Sequence, residues 1–130
     1  MHLKYKIGTD PAHCSAKELG RWGEAFAERY LTGLGYGILE RNWRHALGEL
    51  DLIVYDPARG ATVAVEVKTR RGCRSGTPEE AVTAQKLKRI RVLLTAWSAS
   101  HGCRGAQIEV DVLALAVKDG YCAVNHLKGL

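Results

Sequence analysis

Long apolar stretches, paired cysteines and linker-type segments are all missing from this 130-residue sequence. No run approaches the ~18 consecutive apolar residues of a membrane-spanning helix. Residues 1–10 also lack the apolar centre of a secretory signal. We therefore expect no membrane partner and a cytoplasmic location.

The cysteines are too scattered for a disulfide framework or a zinc site. Cys14, Cys73, Cys103 and Cys122 occur singly, without a C-x-x-C pair or a closely spaced histidine. We expect all four to be reduced thiols.

The composition indicates one globular domain. It is 46% hydrophobic and 25% charged, and the sequence contains no repeat, low-complexity tract or Pro- or Ser-rich linker. Domains typically run ~100–150 residues. We predict a flexible segment over residues 1–14 and a single domain over residues 15–130.

Positive charge is concentrated in one part of the chain. The net charge of +5 favours a polyanionic partner, although many basic proteins bind nothing acidic. Between positions 68 and 91 the only acidic residues are Glu79 and Glu80. The basic residues of the same segment are Lys68, Arg70, Arg71, Arg74, Lys86, Lys88, Arg89 and Arg91.

The first half of the chain predicts a helix followed by three strands. Ser15-Ala-Lys-Glu18 has the form of a capping box, and apolar residues follow it at helical spacing up to Leu34, before Gly35. Apolar and β-branched runs then predict strands over residues 36–44, 48–55 and 61–69. The turn-forming segment 56–60 makes the last two an antiparallel hairpin.

The second half predicts a helix and a further hairpin. Thr77-Pro-Glu-Glu80 resembles a second capping box, which opens a helix that continues to about residue 98. Strands over residues 107–117 and 121–127 flank the turn dipeptide Asp119-Gly120. The predicted order is αβββαββ, a mixed α/β sheet with a helix on either side.

The first hairpin predicts a site. If Asp56 lies opposite Ala61, the numbers of paired residues add up to 117, and Asp51 lies opposite Glu66. Because side chains alternate along a strand, Asp51, Glu66 and Lys68 then share one face. The residues predicted for the opposite face are Leu50, Leu52, Val65 and Val67.

This combination of charges suits phosphodiester hydrolysis. Two carboxylates ~5 Å apart repel each other unless a cation intervenes, and Mg²⁺ or Mn²⁺ accepts such oxygen ligands. A neighbouring ammonium orients water and offsets negative charge. A solvated face on which the charges simply pair is the commoner explanation of a lone E-x-K. Here, however, the flanking residues are almost continuously apolar, which favours a functional explanation.

Each helix contributes a further candidate. Glu24 falls at the edge of the apolar stripe of the first helix and would reach a metal there. A half-solvated glutamate bound to Arg21 or Lys17 is the alternative. Lys86 falls among apolar positions of the second helix, where its partner would be a phosphate or the carboxylates. Its alternative is a packed stem with an exposed ammonium.

Five short motifs, taken together, resemble the YraN family of small bacterial proteins, which is related to the Holliday-junction resolvases. The motifs are Gly20-Arg-Trp-Gly-Glu24, Gly35-Tyr36, Arg41-Asn-Trp-Arg44, Gly48-Glu-Leu-Asp-Leu52 and Val65-Glu-Val-Lys-Thr-Arg70. The resemblance implies a restriction-endonuclease-like fold.

The resemblance also implies roles for individual residues. Asp51, Glu66 and Lys68 match the PD-(D/E)-x-K signature, and Glu24 matches a helix glutamate that completes the metal site in related nucleases. Gln85 and Lys86 match a further motif on the second helix.

The sequence departs from the family pattern in two places. Leu50, not proline, precedes Asp51, and Glu109-Val-Asp111 stands where Arg-Phe-Asp is expected. The second departure replaces a positive charge with a negative one, which puts any contact of that arginine in doubt.

These observations predict a Mg²⁺- or Mn²⁺-dependent endonuclease acting on DNA, with branched and single-stranded DNA as candidate substrates. Asp51, Glu66 and Glu24 would bind the metal, and Lys68 would assist the water. The alternatives are a non-catalytic nucleic-acid-binding module that serves a DNA repair or uptake partner, and a structural or regulatory homodimer. The predicted nucleic-acid contacts are Arg44, Arg70, Arg71, Arg74, Gln85 and Lys86.

Overall fold

The computed structural model describes residues 2–7, 11, 14–72, 82–102 and 107–130. These residues form two helices and six strands. In chain order the elements are β1 (His2–Lys6), α1 (Ala16–Gly33), β2 (Gly37–His45), β3 (Gly48–Asp56), β4 (Ala61–Arg71), α2 (Ala84–Ser100), β5 (Gln107–Lys118) and β6 (Tyr121–Leu127).

All six strands lie in one mixed sheet in the order β1-β6-β5-β4-β3-β2. Strands β4 and β5 are parallel, and every other neighbouring pair is antiparallel. The connection between two parallel strands has to cross the sheet, and α2 lies in that connection. The predicted order αβββαββ and the mixed α/β sheet with a helix on either side are confirmed, with β1 added in front.

Strand β1 corrects the prediction of a flexible segment over residues 1–14. His2–Lys6 pairs antiparallel with β6, and Leu3 packs against the core. A five-residue strand at a sheet edge, rich in lysine, carries little periodic signal. Residues 8–10, 12 and 13, which belong to the same predicted segment, lie outside the described residues.

Helix α1 begins at its predicted capping box. The Ser15 hydroxyl accepts the backbone N–H of Glu18, and the Glu18 carboxylate in turn accepts the backbone N–H of Ser15. The helix is followed by Gly35 with φ +93°, a conformation that glycine adopts without strain. The residues that α1 buries recur at helical spacing and are Leu19, Gly23, Ala27 and Leu31.

Helix α2 begins later than predicted. Its N-cap is Thr83, which has an extended backbone and whose hydroxyl oxygen accepts the backbone N–H of Lys86. The segment Thr77-Pro-Glu-Glu80, predicted to start this helix, lies outside the described residues. Since Thr83 is extended, the helix does not include residue 83, through which it was predicted to run. Thr83 was not predicted as an N-cap, although threonine is favoured at that position.

The two helices cover opposite faces of the sheet, each over its own apolar cluster. Leu52, Val54, Val63 and Val65 pack with α1, whereas Ile53 and Ala64 pack with α2. Leu50 belongs to the α2 cluster, so the prediction that it shares a face with Leu52 is wrong. The regular alternation of β3 is therefore interrupted at the residue between them, which is Asp51.

The described part of the chain includes two of the four cysteines and both helices. Cys14 and Cys122 are free thiols, as predicted, while Cys73 and Cys103 lie outside the described part of the chain. Within that part, neither helix is long and apolar enough to cross a membrane.

Candidate active site

The candidate site lies where strands β3 and β4 separate. Their predicted register is confirmed, because the pairs run from Asp56 opposite Ala61 to Leu52 opposite Val65. No further β3–β4 pair follows, although β3 continues to pair with β2 and β4 with β5. Asp51 and Glu66 are the next residues on the two strands, so both stand at the opening of a fork in the sheet.

Asp51 is held in this fork by the opposite strand. Its Oδ2 accepts the backbone N–H of Val67 at 2.9 Å. The side chain of β3 therefore bonds to the backbone of β4 just beyond the last paired residues. This bond holds the carboxyl group near that of Glu66, whose charge acts on it.

The pKa of Asp51 is raised from 3.8 to about 7. Burial is the largest cause, followed by repulsion from Glu66, while the Val67 N–H opposes the shift. Glu24 adds a smaller repulsion. The fork therefore holds a carboxyl group that is about half protonated near neutral pH.

Two lysines converge on the partner carboxylate. Glu66 Oε1 lies 3.0 Å from Lys86 Nζ and 3.7 Å from Lys68 Nζ. The pKa of Lys68 is lowered by its contact with Lys86 and by burial. That of Lys86 is raised, against the effect of burial, by its contacts with Lys68 and Glu66. Of the predicted alternatives for Lys86, the structure therefore shows a contact with a carboxylate, made by a side chain that is about one third exposed.

Glu24 is brought toward the fork by a close approach of α1 to β4. A Cβ atom at Gly23 would lie 1.8 Å from the Thr69 Oγ1, so only glycine permits the observed packing. The pKa of Glu24 is raised by burial, and then by repulsion from Glu49 and Glu66. The side chain thus faces the carboxylates, and not Arg21 or Lys17 as in the alternative prediction. We call Glu24, Asp51, Glu66, Lys68 and Lys86 the fork site.

Two neighbours of Glu24 were not predicted as site residues. Asn42 hydrogen bonds with Glu24 and lowers its pKa, and Glu49 contributes the largest repulsion on it. Asn42 has φ +48°, a conformation in which asparagine is enriched among non-glycine residues. The Arg41-Asn-Trp-Arg44 motif was the available signal, but one sequence does not reveal which of its residues turns toward the site.

The fork site offers two converging carboxylates to a cation. Mg²⁺ is commonly held by one or two carboxylates and several waters, and the chemistry of Asp51 and Glu66 fits it. In the part of the chain that the structure describes, no group of three Asp, Glu, His or Cys side chains is arranged to hold a metal ion. Glu24 therefore stands nearby and not within a ligand set of three.

The predicted nucleic-acid contacts are spread over several surfaces. Arg44 is highly exposed and lies 3.8 Å from Glu49, and Arg71 donates to the backbone carbonyl of Cys14. Arg70 is half-buried on β4, and Gln85 is exposed on the first turn of α2. Arg74 lies outside the described residues. Among the described members of this set, Lys86 contacts Glu66 in the fork site.

A second polar cluster lies ~17 Å along the hairpin from the fork, at its turn. Arg59 forms ion pairs with Asp56, Glu109 and Asp111. His126 is hydrogen-bonded to Asp111, with 2.8 Å between Nε2 and Oδ2. We call these five residues the Arg59 cluster. Glu109 stands where the resemblance predicts an arginine. In this structure the positive charge comes instead from Arg59 in the turn, which pairs with Glu109.

Comparisons with known proteins agree on one family. The profile described as "Uncharacterised protein family UPF0102" matches residues 23–115, which include every residue of the fork site. A UPF0102 protein from Mycolicibacterium smegmatis is 47% identical over 114 residues, covering 87% of this chain and 92% of the relative. A UPF0102 protein from a Nocardioides species is 40% identical over 124 residues, covering 94% and 98%.

Among solved structures, SfsA from Pyrococcus furiosus in complex with Ca²⁺ overlaps 97% of this chain and 69% of its own. The identity is 12% and the TM-score 0.37, too low to assign a common fold.

Proposed function

This chain belongs to the UPF0102 family, to which its YraN-type motifs correspond, and we propose that it is a Mg²⁺- or Mn²⁺-dependent nuclease that hydrolyses phosphodiester bonds in DNA. One observation carries the proposal. Asp51 and Glu66, two carboxyl groups in contact at a fork of the sheet, are surrounded by lysines from β4 and α2. Placing like charges together is costly unless a cation binds there.

The carboxylates and the lysines have different tasks in this proposal. The cation, when bound, would lower the pKa of a water and offset charge on the phosphoryl oxygens. Asp51, fixed by the Val67 N–H, and Glu66 would hold it. Lys68, whose pKa is lowered, takes up the proton of the attacking water at Nζ. Lys86 keeps its charge and stabilises the negative charge that develops on the phosphate.

DNA is the proposed substrate because positive charge clusters around the fork. Arg70 and Arg71 continue β4 directly beyond Lys68, and Arg89 lies three residues after Lys86 on α2. Arginine and lysine at such positions bind phosphates without reading sequence. A nuclease that finds its target by DNA structure, such as a branch or a single-stranded segment, needs no base-specific contacts at the cleavage site.

A non-catalytic DNA-binding module is the second candidate, and one observation favours it. Lys86 and Lys68 already neutralise Glu66, and no third carboxylate converges on the pair among the described residues. A site whose carboxylate charge is already neutralised by lysines would remain stable without a metal ion. In that case the basic surface alone would serve a repair or uptake partner.

Cleavage assays separate the two candidates. Labelled single-stranded, duplex and four-way-junction DNA would be incubated with the protein while Mg²⁺ or Mn²⁺ is titrated. We expect metal-dependent products from the wild type, and rates at least 100-fold lower with D51N or K68M. The control is K88M, which removes an exposed lysine of α2 outside the fork site.

DNA binding measured in parallel distinguishes the possible results of the cleavage assay. If D51N binds DNA like the wild type but does not cut, Asp51 acts in the reaction. If the wild type binds all three DNAs and cuts none with either metal, the nuclease proposal is rejected in favour of the binding module. Equal cutting by wild type and D51N would point to a contaminating nuclease and reject the site.

A further inference from the structure

An aromatic groove runs along the other flank of α1. It has a volume of about 820 Å³, within the ~300–1,000 Å³ typical of ligand sites. Its walls come from β1 and α1, two elements separated by only nine residues of sequence. We call the groove lined by Tyr5, Lys6, Trp22, Phe26, Arg29 and Tyr30 the aromatic groove. It takes no part in the fork site.

The rings of this groove are arranged to receive a flat ligand. Trp22 and Phe26 stack with centroids 5.3 Å apart and planes inclined by 23°. Tyr5 meets Phe26 edge-on at 70°, so its ring stands as a wall beside the other two. Tyr5 is 38% exposed, so part of this residue is open to the solvent. A planar group can thus stack on one ring while its edge meets another.

The charge at the groove favours an anion. Lys6 and Arg29 stand at its rim, and none of the described residues that line it is acidic. Neither side chain forms an ion pair with a carboxylate of the described part of the chain. Apolar rings between two exposed cations suit a ligand that is flat and negatively charged, as a nucleotide is.

We propose that the aromatic groove binds an unpaired nucleotide of a nucleic-acid strand, with the base against the rings of Tyr5, Trp22 and Phe26 and the phosphate at Lys6 and Arg29. Paired bases do not present their faces, so the ligand is a single-stranded segment. The choice of a nucleic acid rests on the proposed function, and the groove narrows the substrate to DNA with unpaired bases.

The position of the groove on α1 relates it to the fork site. Trp22 and Glu24 flank Gly23, which packs on β4, so the two sites lie on opposite flanks of the helix. The separation is about one helix diameter, ~10 Å, which is ~3 nucleotides at ~3.4 Å each. A single strand bound in the groove would therefore reach the fork within a few nucleotides.

The test is a binding assay without divalent metal, so that it does not depend on cleavage. Fluorescence anisotropy would compare a 12-nucleotide thymidine strand with an abasic phosphate strand of equal length and charge. Stacking is worth ~1–3 kcal/mol for a base, so we expect the wild type to bind the base-bearing strand about tenfold more tightly. In Y5A this preference should fall to about one. R29A should weaken the binding of both strands.

Matched controls come from the same molecule. Tyr55 is as exposed as Tyr5 but lies on β3, and Arg21 is an exposed arginine of α1 outside the groove. Y55A and R21A should keep the tenfold preference. Circular dichroism of every variant checks that the fold is retained.

Each of the remaining outcomes rejects either the groove proposal or the nuclease proposal, but not both. A wild type that binds the two strands equally, or a Y5A variant that keeps the preference, rejects the groove and leaves the fork proposal intact. Sedimentation in which Y5A dissociates a dimer without changing DNA binding would assign the groove to a second copy of this chain. Base-selective binding lost in Y5A, without metal-dependent cleavage by the wild type, supports the groove and rejects the nuclease.

Discussion

Lys86 Nζ lies 3.0 Å from Glu66 Oε1, nearer than Lys68 Nζ at 3.7 Å, although Lys86 belongs to α2 and Lys68 is two residues from Glu66 on β4. The lysine of the E-x-K motif is thus one of two that contact this carboxylate. A helix on one face of the sheet thereby restrains the orientation of a side chain on the strand.

We expect K86M to reduce cleavage at least tenfold while changing the affinity for DNA by less than threefold. The methionine keeps the apolar stem but removes the ammonium that orients Glu66 and stabilises phosphate charge. Steady-state kinetics and anisotropy would measure the two effects. K88M, on the exposed face of the same helix, is the control. A K86M variant that loses affinity but not turnover would make Lys86 a phosphate contact only.

The raised pKa of Asp51 predicts how stability changes with pH. The folded state holds a proton on Asp51 up to about pH 7, whereas the unfolded state releases it near 3.8. The free energy of unfolding should therefore fall as the pH rises between these values, by at most ~4 kcal/mol at ~1.4 kcal/mol per pH unit. D51N lacks this titration and should be more stable than the wild type above pH 7.

Urea denaturation between pH 4 and 8 measures this difference, with D119N in an exposed turn as the control for the loss of one charge. Mg²⁺ should raise the melting temperature of the wild type at pH 8 and not that of D51N. Parallel pH profiles of D51N and the wild type would show that the fork does not hold a proton near neutrality.

Gly23 should be essential for the position of α1. In G23A the new Cβ would collide with the Thr69 Oγ1 and lie 2.8 Å from its Cβ, so the helix has to move away from β4. Overpacking of this kind typically costs ~1–3 kcal/mol, and cleavage should fall because Glu24 moves too. G20A provides the matched control, since a Cβ there meets nothing within 4 Å.

In the control, alanine should stabilise the helix by ~0.5–1 kcal/mol. The double variant G23A/T69A should recover part of the lost stability, because it removes the nearest clashing atom. Equal effects of G23A and G20A would mean that α1 does not rely on close contact with Thr69.

Breaking the Arg59 cluster should strongly lower the free energy of unfolding. Asp111 is fully buried, and its pKa is held at about 2, against the effect of burial, by bonds from His126, Arg59 and the Gly129 N–H. R59M leaves this carboxylate with fewer partners and should lose ~3–5 kcal/mol of unfolding free energy. R41M removes an exposed pair with Glu28 and should lose under ~1 kcal/mol.

Because the pKa of Asp111 is lowered in the folded state, its contribution is present above pH 3.8 and is lost as the pH falls toward 2. The wild type should therefore unfold in acid more steeply than D111N. If R59M and R41M lose similar stability, the cluster does not brace the turn.

The sequence predicted most of the fold because its signals are local. The capping box of α1, the Asp119-Gly120 turn and the hairpin register each depend on a few neighbouring residues, and all three are found. The prediction that Asp51 and Glu66 lie together was confirmed for the same reason. Once the turn was placed, the pairing of the two strands followed.

What the sequence missed depends on contacts between distant elements. Strand β1 is defined by its pairing with β6, at the other end of the chain. The interruption that turns Leu50 toward α2 arises only where β3 leaves β4. Arg59 looked like an ordinary turn residue because its partners Glu109 and Asp111 lie about fifty residues away. Periodicity within one segment carries no information about such contacts.

The pairing of β1 with β6 also constrains how the protein forms during synthesis. His2 lies opposite Asn125, so β1 acquires its neighbour in the sheet only after β6 has been synthesised. Closing so long a loop is slow, because its entropy is lost before the contacts form. Until β1 pairs with β6, Tyr5 is not held beside α1 to form the groove, and α1 can pack against the central strands first. The aromatic groove therefore forms only once β6 is available to hold β1, whereas the hairpin of β3 and β4 can form before β6 has been synthesised.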